Sequence, residues 1–443
     1  MIIRRTLKLS ILSSTLTQFH TTLAGAGSSF LTKFLIILNA SPLQFAIFSS
    51  ISTISQLFQP LGALITKRLS RRKNIVIFLI LFGCTLPITY GILLLINLPN
   101  QKITLFLILF FLSVSLLSIA SNIWIGWITD IIPLRFRGRF FSIISQFSMI
   151  TAIVVGYTFS LFIDHLEKLD INSSQLSITI LSQRNISKGF ILIFLTAAFF
   201  SSLGVYFLSK IPEKEKAIEK EDNIKLFLSP FNDKNYRRYL IYICCWMFAI
   251  GIGAPFWQPF MLKKLNMSLF EVQIYNSINI IFSILILRFW GRMIDKYGNK
   301  TAMKIIILLG GMNPMVWLFV NKQNYFIIYF EAITSGIMWA GAGLVMTNFV
   351  LSISPPEKRQ IYSGVSSAFS GIFTMVTMLL SGLFIQTVTT INFKTLEPEQ
   401  ILFGLSGIAR WSVLLPLAMV TETHSKSLNN PISSLFHSKK RRS

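Results

Sequence analysis

The sequence predicts an all-α integral membrane protein with twelve transmembrane helices in two pseudo-symmetric six-helix bundles. Three observations carry this reading. First, apolar residues make up 53% of the 443 and come in long blocks rather than at the periods of amphipathic helices or half-buried strands. Blocks such as Ile75 to Ile96, Ile103 to Ile128, Phe190 to Leu208 and Met303 to Val320 reach or approach the roughly 20 residues that cross a bilayer. Second, cations gather in alternate loops. Third, two short basic segments recur about half a chain apart, each between apolar blocks: Gly62-Ala-Leu-Ile-Thr66-Lys67-Arg68-Leu-Ser-Arg71-Arg72-Lys73 and Gly291-Arg-Met-Ile-Asp295-Lys296-Tyr-Gly298-Asn-Lys300.

Taken in order, the spans fall at 11–38, 43–66, 74–96, 103–129, 139–163, 188–209, 238–261, 270–291, 302–320, 324–350, 361–388 and 401–421. Polar residues interrupt the first and the eighth. The start, Met-Ile-Ile-Arg-Arg, resembles a secretory leader, but its apolar stretch is long, is followed by further spans and shows no small-residue cleavage site, so it reads as an uncleaved first helix. Residues 1–209 form the first bundle, 210–237 a charged linker, 238–421 the second bundle and 422–443 a basic tail. The linker mixes Glu213, Glu215, Glu219, Glu221 and Asp222 with lysines. The outward loop 164–187 is polar and receives no function.

In a soluble protein the net charge of +24 would suggest a nucleic-acid partner. Its distribution argues otherwise. Arg4, Arg5 and Lys8, Lys67 to Lys73, Arg135, Arg137 and Arg139, the linker Lys210 to Arg238, Arg292, Lys296 and Lys300, Lys358 and Arg359, and Lys439 to Arg442 all share one side if the spans alternate. The opposite loops carry only scattered cations, among them Lys102, Lys168, Arg184, Lys322 and Lys394. This positive-inside pattern places both termini in the cytoplasm of a multi-pass protein of the inner (plasma) membrane, and no nucleic-acid partner is needed. Cys84, Cys244 and Cys245 lie inside spans without ligand spacing, so neither a metal, a disulfide nor any cofactor is expected.

A second corner also repeats. Pro133-Leu-Arg-Phe-Arg137-Gly-Arg-Phe140 follows span 4 and Pro355-Pro-Glu-Lys-Arg359-Gln-Ile-Tyr362 follows span 10, so Pro-x-x-x-Arg-x-x-aromatic stands at matching positions. With the six-plus-six layout, these corners resemble the major facilitator superfamily over roughly residues 10 to 421. In that family the turn after helices 2 and 8 reads Gly-x-x-x-Asp-Arg/Lys-x-Gly-Arg/Lys-Arg/Lys. Residues 291 to 300 fit it, with Asn299 at a position where a base is common. The first copy departs, with Thr66 in place of the acid and Leu69 in place of the second glycine. Trp124 to Phe141 and Trp339 to Arg359 further resemble a bacterial branch of transporters without assigned substrate.

The resemblance implies secondary transport by alternating access, substrate lying between the halves near the midplane. It gives Gly62, Gly291, Asp295, Lys296, Gly298 and Arg359 as gating residues, with Asp295 meeting the start of span 5 near Gly138 and Arg139. The residues themselves allow this. A carboxylate at a helix edge can accept hydrogen bonds from the free amides of a neighbouring N-terminus, although a short solvated turn would look the same. Asp130 with Arg137 and Arg139 suits an ion-pair network that rearranges between states; an exposed helix-end acid among arginines is the plainer alternative.

Ionisable groups at membrane depth are costly and point to a pathway. Glu331 in span 10 and His20 in span 1, beside Gln18, are candidate proton carriers, which makes protons the candidate coupling ion. Arg410 in span 12 could hold an anion, pair with Glu331 or snorkel to the interface. The family's cavity is lined by helices 1, 4, 7 and 10, which adds Asn122 and Trp124, Trp246, Trp257 and Gln258, and Thr334 and Trp339 as candidates for a small neutral or amphipathic solute. Tryptophans also serve as interface anchors. Span 5 lacks a Gly-Pro-rich signature and span 4 an intramembrane Arg, which weakens a drug/proton antiporter. No P-loop, His-Glu-x-x-His or Gly-x-Ser-x-Gly occurs, so an enzyme is not expected. The expected entity is a monomeric transporter bound by lipid and a small-molecule substrate. Its rivals are an exporter of the same fold and a non-transporting sensor or assembly factor.

Overall fold

A computed structural model describes residues 2–58, 62, 71–96, 101–174, 182–213, 229–355, 358–388 and 396–422, and all regular structure among them is helical. The helices are α1 Ile2–Ala24, α2 Ser29–Ile37, α3 Pro42–Gln56, α4 Lys73–Thr85, α5 Pro87–Leu95, α6 Lys102–Ile131, α7 Leu134–Ser174, α8 Ser182–Ser209, α9 Lys234–Gly253, α10 Leu269–Tyr297, α11 Asn299–Val316, α12 Ile327–Ile353, α13 Arg359–Val388, α14 Pro398–Ser412 and α15 Leu414–Met419. Helices are the natural answer to the composition, because backbone groups in a bilayer must be satisfied within their own segment. Among the described residues, ten stretches are long and apolar enough to cross a membrane. The remaining two predicted spans are the polar α1 with α2, and α3.

Where the chain breaks, residue type explains it. Span 1 is interrupted at Gly25-Ala-Gly27, with Gly27 at φ 81°, and restarts where the Ser28 side chain accepts from the amide of Phe30. Ser41 and Gln44 form a reciprocal capping box ahead of Pro42, a strong start signal. Span 7 leaves α9 at Gly253, just before Pro255, and continues through a short turn at Trp257–Pro259 and a π-helical turn at Phe260–Lys264. Gly298 sits at φ 87° between α10 and α11, a conformation that favours glycine; this is the second glycine of the repeated corner.

The chain forms two compact units. One comprises Met1–Asp222, Ala254–Ile274 and Met378–Thr390; the other comprises Asn223–Gly253, Tyr275–Thr377 and Ile391–Ser443. The first unit thus holds the first six spans with the ends of spans 7 and 11 and the start of span 8. By alternation these three pieces lie at the end remote from the N-terminus, called distal below. The core of the first unit is a cluster of rings, with Phe34 against Phe106, Phe190 and Phe194, and Tyr90 edge-on to Phe106 and Phe194. That of the second is built from Tyr236, Tyr239, Tyr242, Trp246, Trp290 and Phe349. Both units use the same pairings: the first span packs on the sixth, and the third packs on the fourth and the sixth. The duplication expected from the corners is therefore present in the helix packing.

A further repeat is visible only in three dimensions. In the first unit Trp127 Nε1 donates to the Pro212 carbonyl at 3.1 Å, which sets Glu213 over the start of α4. There its carboxylate accepts from the amides of Arg72 and Lys73. In the second unit Lys300 Nζ donates to the Ala418 and Val420 carbonyls, and Glu422 accepts from the amides of Asn299, at 3.1 Å, and Lys300, at 2.8 Å. Each half therefore uses the acid that follows its sixth helix to cap the N-terminus of its third, where free amides and the helix dipole favour an anion. Glu213→Gln and Glu422→Gln keep one acceptor and lose the charge. Each is expected to cost about 1 kcal/mol and to lower the melting temperature in detergent by a few degrees. Unchanged melting of both would contradict the capping role.

Candidate functional site

The second unit encloses a buried polar cluster. Glu331 stands in the second turn of α12 and is only 6% exposed, so it is not the solvated helix-end acid that its position allowed. Tyr275, in the second turn of α10, donates its phenol O–H to the carboxylate at 2.8 Å, and its ring lies edge-on to Trp317 at the end of α11. Trp317 and Ser335 also hydrogen-bond the carboxylate. The Thr334 hydroxyl lies 2.9 Å from both Asn313 Oδ1 and the Glu331 carbonyl.

Arg410 reaches the same region from α14. At 3% exposure it does not snorkel. Nη1 donates to the Gly310 carbonyl at 2.9 Å, Nε has no hydrogen-bond partner, and the charge of Arg410 acts on Glu331. The low dielectric makes such an arrangement costly unless the two charges balance each other. Of the pathway candidates, the structure thus brings together Glu331, Thr334 and Arg410.

The others are distributed differently. Trp246 is fully buried, its ring against Gly310, where a Cβ would lie 2.9 Å away, and its indole N–H is without a hydrogen-bond partner. His20 is buried with Nε2 unpartnered, next to Phe19, whose ring stacks on Phe200 of α8. Gln18, half-buried, donates to the Thr22 hydroxyl one turn on. On α6, Asn122 and Trp124 are half-buried, the indole edge-on to Phe141. Trp257 is half-buried and Trp339 is 38% exposed. Gln258 accepts from Thr32 at 2.8 Å and donates to the Gly27 carbonyl at 3.0 Å.

At the corners, Asp295 is exposed at the end of α10, the ammonium of Lys296 lies over the Tyr297 ring at 4.9 Å, and a Cβ at Gly291 would meet open space. Arg139 and Arg359 are exposed. Gly62 lies against α6, where a Cβ would meet the Ile119 carbonyl at 2.7 Å; Thr66 and Lys67 fall outside the described residues. The expected pairing of Asp130 with Arg137 and Arg139 is corrected. Asp130 pairs instead with the buried Arg72 at 2.8 Å. Arg137 turns to the carbonyls of Thr129 and Ile132 at 2.7 and 3.0 Å, because the end of α6 leaves acceptors unsatisfied.

Sequence reasoning passes over the polar distal end of the first unit. Asp164, in α7 and buried, accepts from the amides of Leu269 and Phe270 at the start of α10. Lys33, 8% exposed in α2, pairs with Glu167 at 2.6 Å. Gln273 donates to Ser29 at 2.7 Å. Lys33 was the available signal, a lone cation in the apolar run Phe30 to Ile37, and it belongs with Glu331 and Arg410 among the charges at membrane depth.

Comparison with known proteins agrees with this architecture. The solved nucleoside transporter NupG superposes with a TM-score of 0.67 at 16% identity, over 94% of this chain and 98% of that one. A D-xylose-proton symporter gives 0.66 at 15%, over 97% and 100%. The inward open conformation of the xylose transporter XylE from E. coli gives 0.66 at 16%, over 98% and 100%. At these identities the likeness is one of fold. A search of curated proteins finds no sequence match. The family profile matches residues 11–378, more than four-fifths of the chain, and the protein belongs to the Major Facilitator Superfamily, a secondary transporter of the twelve-helix fold.

Proposed function

We propose that this transporter moves a small neutral or amphipathic organic solute by alternating access, coupled to protons through Glu331. The observation that carries the reading is the buried Glu331 carboxylate, hydrogen-bonded by Tyr275, in the same unit as the buried Arg410. Protonating Glu331 would remove the anion that balances a guanidinium buried in α14, so the two protonation states favour different packing among α10, α12 and α14. A proton could then bias the conformational equilibrium by the difference in its affinity for the two states. The structurally similar proteins include one that is a D-xylose-proton symporter and another that transports nucleosides, which supports a small polar organic substrate. Asp295, Lys296 and the Gly291–Gly298 corner would act as the gate at the end opposite Asp164, within a six-plus-six chain divided by the linker at 210–237 and working as a monomer.

In proteoliposomes carrying an imposed pH gradient, Glu331→Gln is expected to abolish gradient-driven uptake while leaving solute exchange without a gradient. Gradient-driven uptake at the parental rate would remove Glu331 from coupling. The cation distribution supports an inner-membrane protein with both termini on the cytoplasmic side. A membrane-impermeant maleimide should therefore label a cysteine replacing the exposed His165 from outside intact cells; labelling only after permeabilisation would reverse the topology.

A further inference from the structure

We infer that Asp164 is a releasable latch, which holds the distal start of span 8 against span 5 by capping the N-terminus of α10 and must let go for the distal end to open. The inference rests on the alternating-access reading and adds to it the group that sets the conformational balance.

The start of α10 has a capping device of its own, and that device is incomplete. Ser268 Oγ accepts from the amide of Glu271 at 3.2 Å, and Glu271 Oε2 accepts in return from the amide of Ser268 at 2.7 Å. This reciprocal box leaves the amides of Leu269 and Phe270 without a local acceptor. Both are taken by one residue 105 and 106 positions away in sequence: Leu269 donates to Asp164 Oδ1 at 3.0 Å and Phe270 to Oδ2 at 2.9 Å. Leu269 is completely buried and Asp164 nearly so. Among the described residues, this carboxylate is the acceptor for both amides, and its charge also meets the positive end of the α10 dipole.

The surroundings hold the carboxylate in place. One turn along α7, Glu167 is tied to Lys33 of α2 at 2.6 Å. Along α10, Gln273 reaches Ser29 at 2.7 Å and Phe270 lies edge-on to Tyr157 of α7, with centroids 5.4 Å apart.

What makes this cap releasable, unlike those of Glu213 and Glu422, is where its partners belong. The latter two join elements of the same half of the duplicated chain. Asp164 joins span 5 to span 8, one from each half, and alternating access requires the halves to part at this end. On parting, water would replace the carboxylate on both amides and the amides on the carboxylate, so the broken state is affordable, whereas breaking it without water would leave two donors and a charge unsatisfied. Because water replaces both partners on opening, the Asp164 interaction weights the closed state only by the net difference between these charge-assisted hydrogen bonds and their hydrated counterparts, taken as an equilibrium shift of about tenfold.

The test is a distance measurement by electron spin resonance in nanodiscs on the full chain. Cys84, Cys244 and Cys245 are replaced by alanine, and spin labels sit at Lys168→Cys on α7 and Lys263→Cys beside α10, both exposed positions. Asp164→Asn keeps the shape and one acceptor but loses the charge; it is expected to raise the ratio of long to short distances about tenfold, and Asp164→Glu to restore part of the short population. Glu213→Gln serves as a folded control and should leave the ratio unchanged. An Asp164→Asn ratio equal to the parent's, in protein that still catalyses solute flux, overturns the latch and leaves the transport reading intact. Absence of flux in the parent with every solute and gradient tried overturns both.

Discussion

Amides at a helix N-terminus have no intrahelical acceptor, and where the N-terminus is packed against neighbouring elements another group of the protein must supply one. Among the described residues, three helix starts are met by a carboxylate more than a hundred positions away in sequence. Glu213 serves α4, Glu422 serves α11 and Asp164 serves α10. The first two fix the return of each sixth helix onto its third, and with it the six-helix unit. The third ties together two helices from different halves. That third cap lies within the first compact unit, between spans 5 and 8.

Charge buried deeper follows the same logic with side chains in place of amides. Glu331 is kept in the apolar interior by a phenol, an indole, a hydroxyl and a nearby guanidinium, and Arg410 by a carbonyl of α11 and by Glu331. Each of these partners sits on a different helix, so the charge state of one carboxylate is felt by α10, α11, α12 and α14 together. This is the coupling that a proton-driven conformational cycle needs, and an acid at the solvated end of a span could not provide it.

Much of the fold was legible in the residues. Apolar blocks gave the spans, and the Gly291–Gly298 corner gave the turn between spans 8 and 9, because glycine acts through its own backbone geometry. The repeated corners gave the duplication. Glu331 was readable as a charge in the wrong solvent, and Arg410 with it. The long-range caps were not readable. Glu213 lies 141 residues from the amide of Arg72, and nothing in local periodicity says which N-terminus an acid will find. For the same reason Asp130 was matched to the arginines nearest in sequence rather than to Arg72.

Hydrogen–deuterium exchange of the three capped N-termini, in nanodiscs with and without a driving pH gradient, tests most directly the claim that two caps are permanent and one is releasable. The account predicts slow, gradient-independent exchange around Arg72–Lys73 and Asn299–Lys300, and exchange around Leu269–Phe270 that speeds up when the transporter cycles. Equal protection at all three sites in both conditions would contradict it.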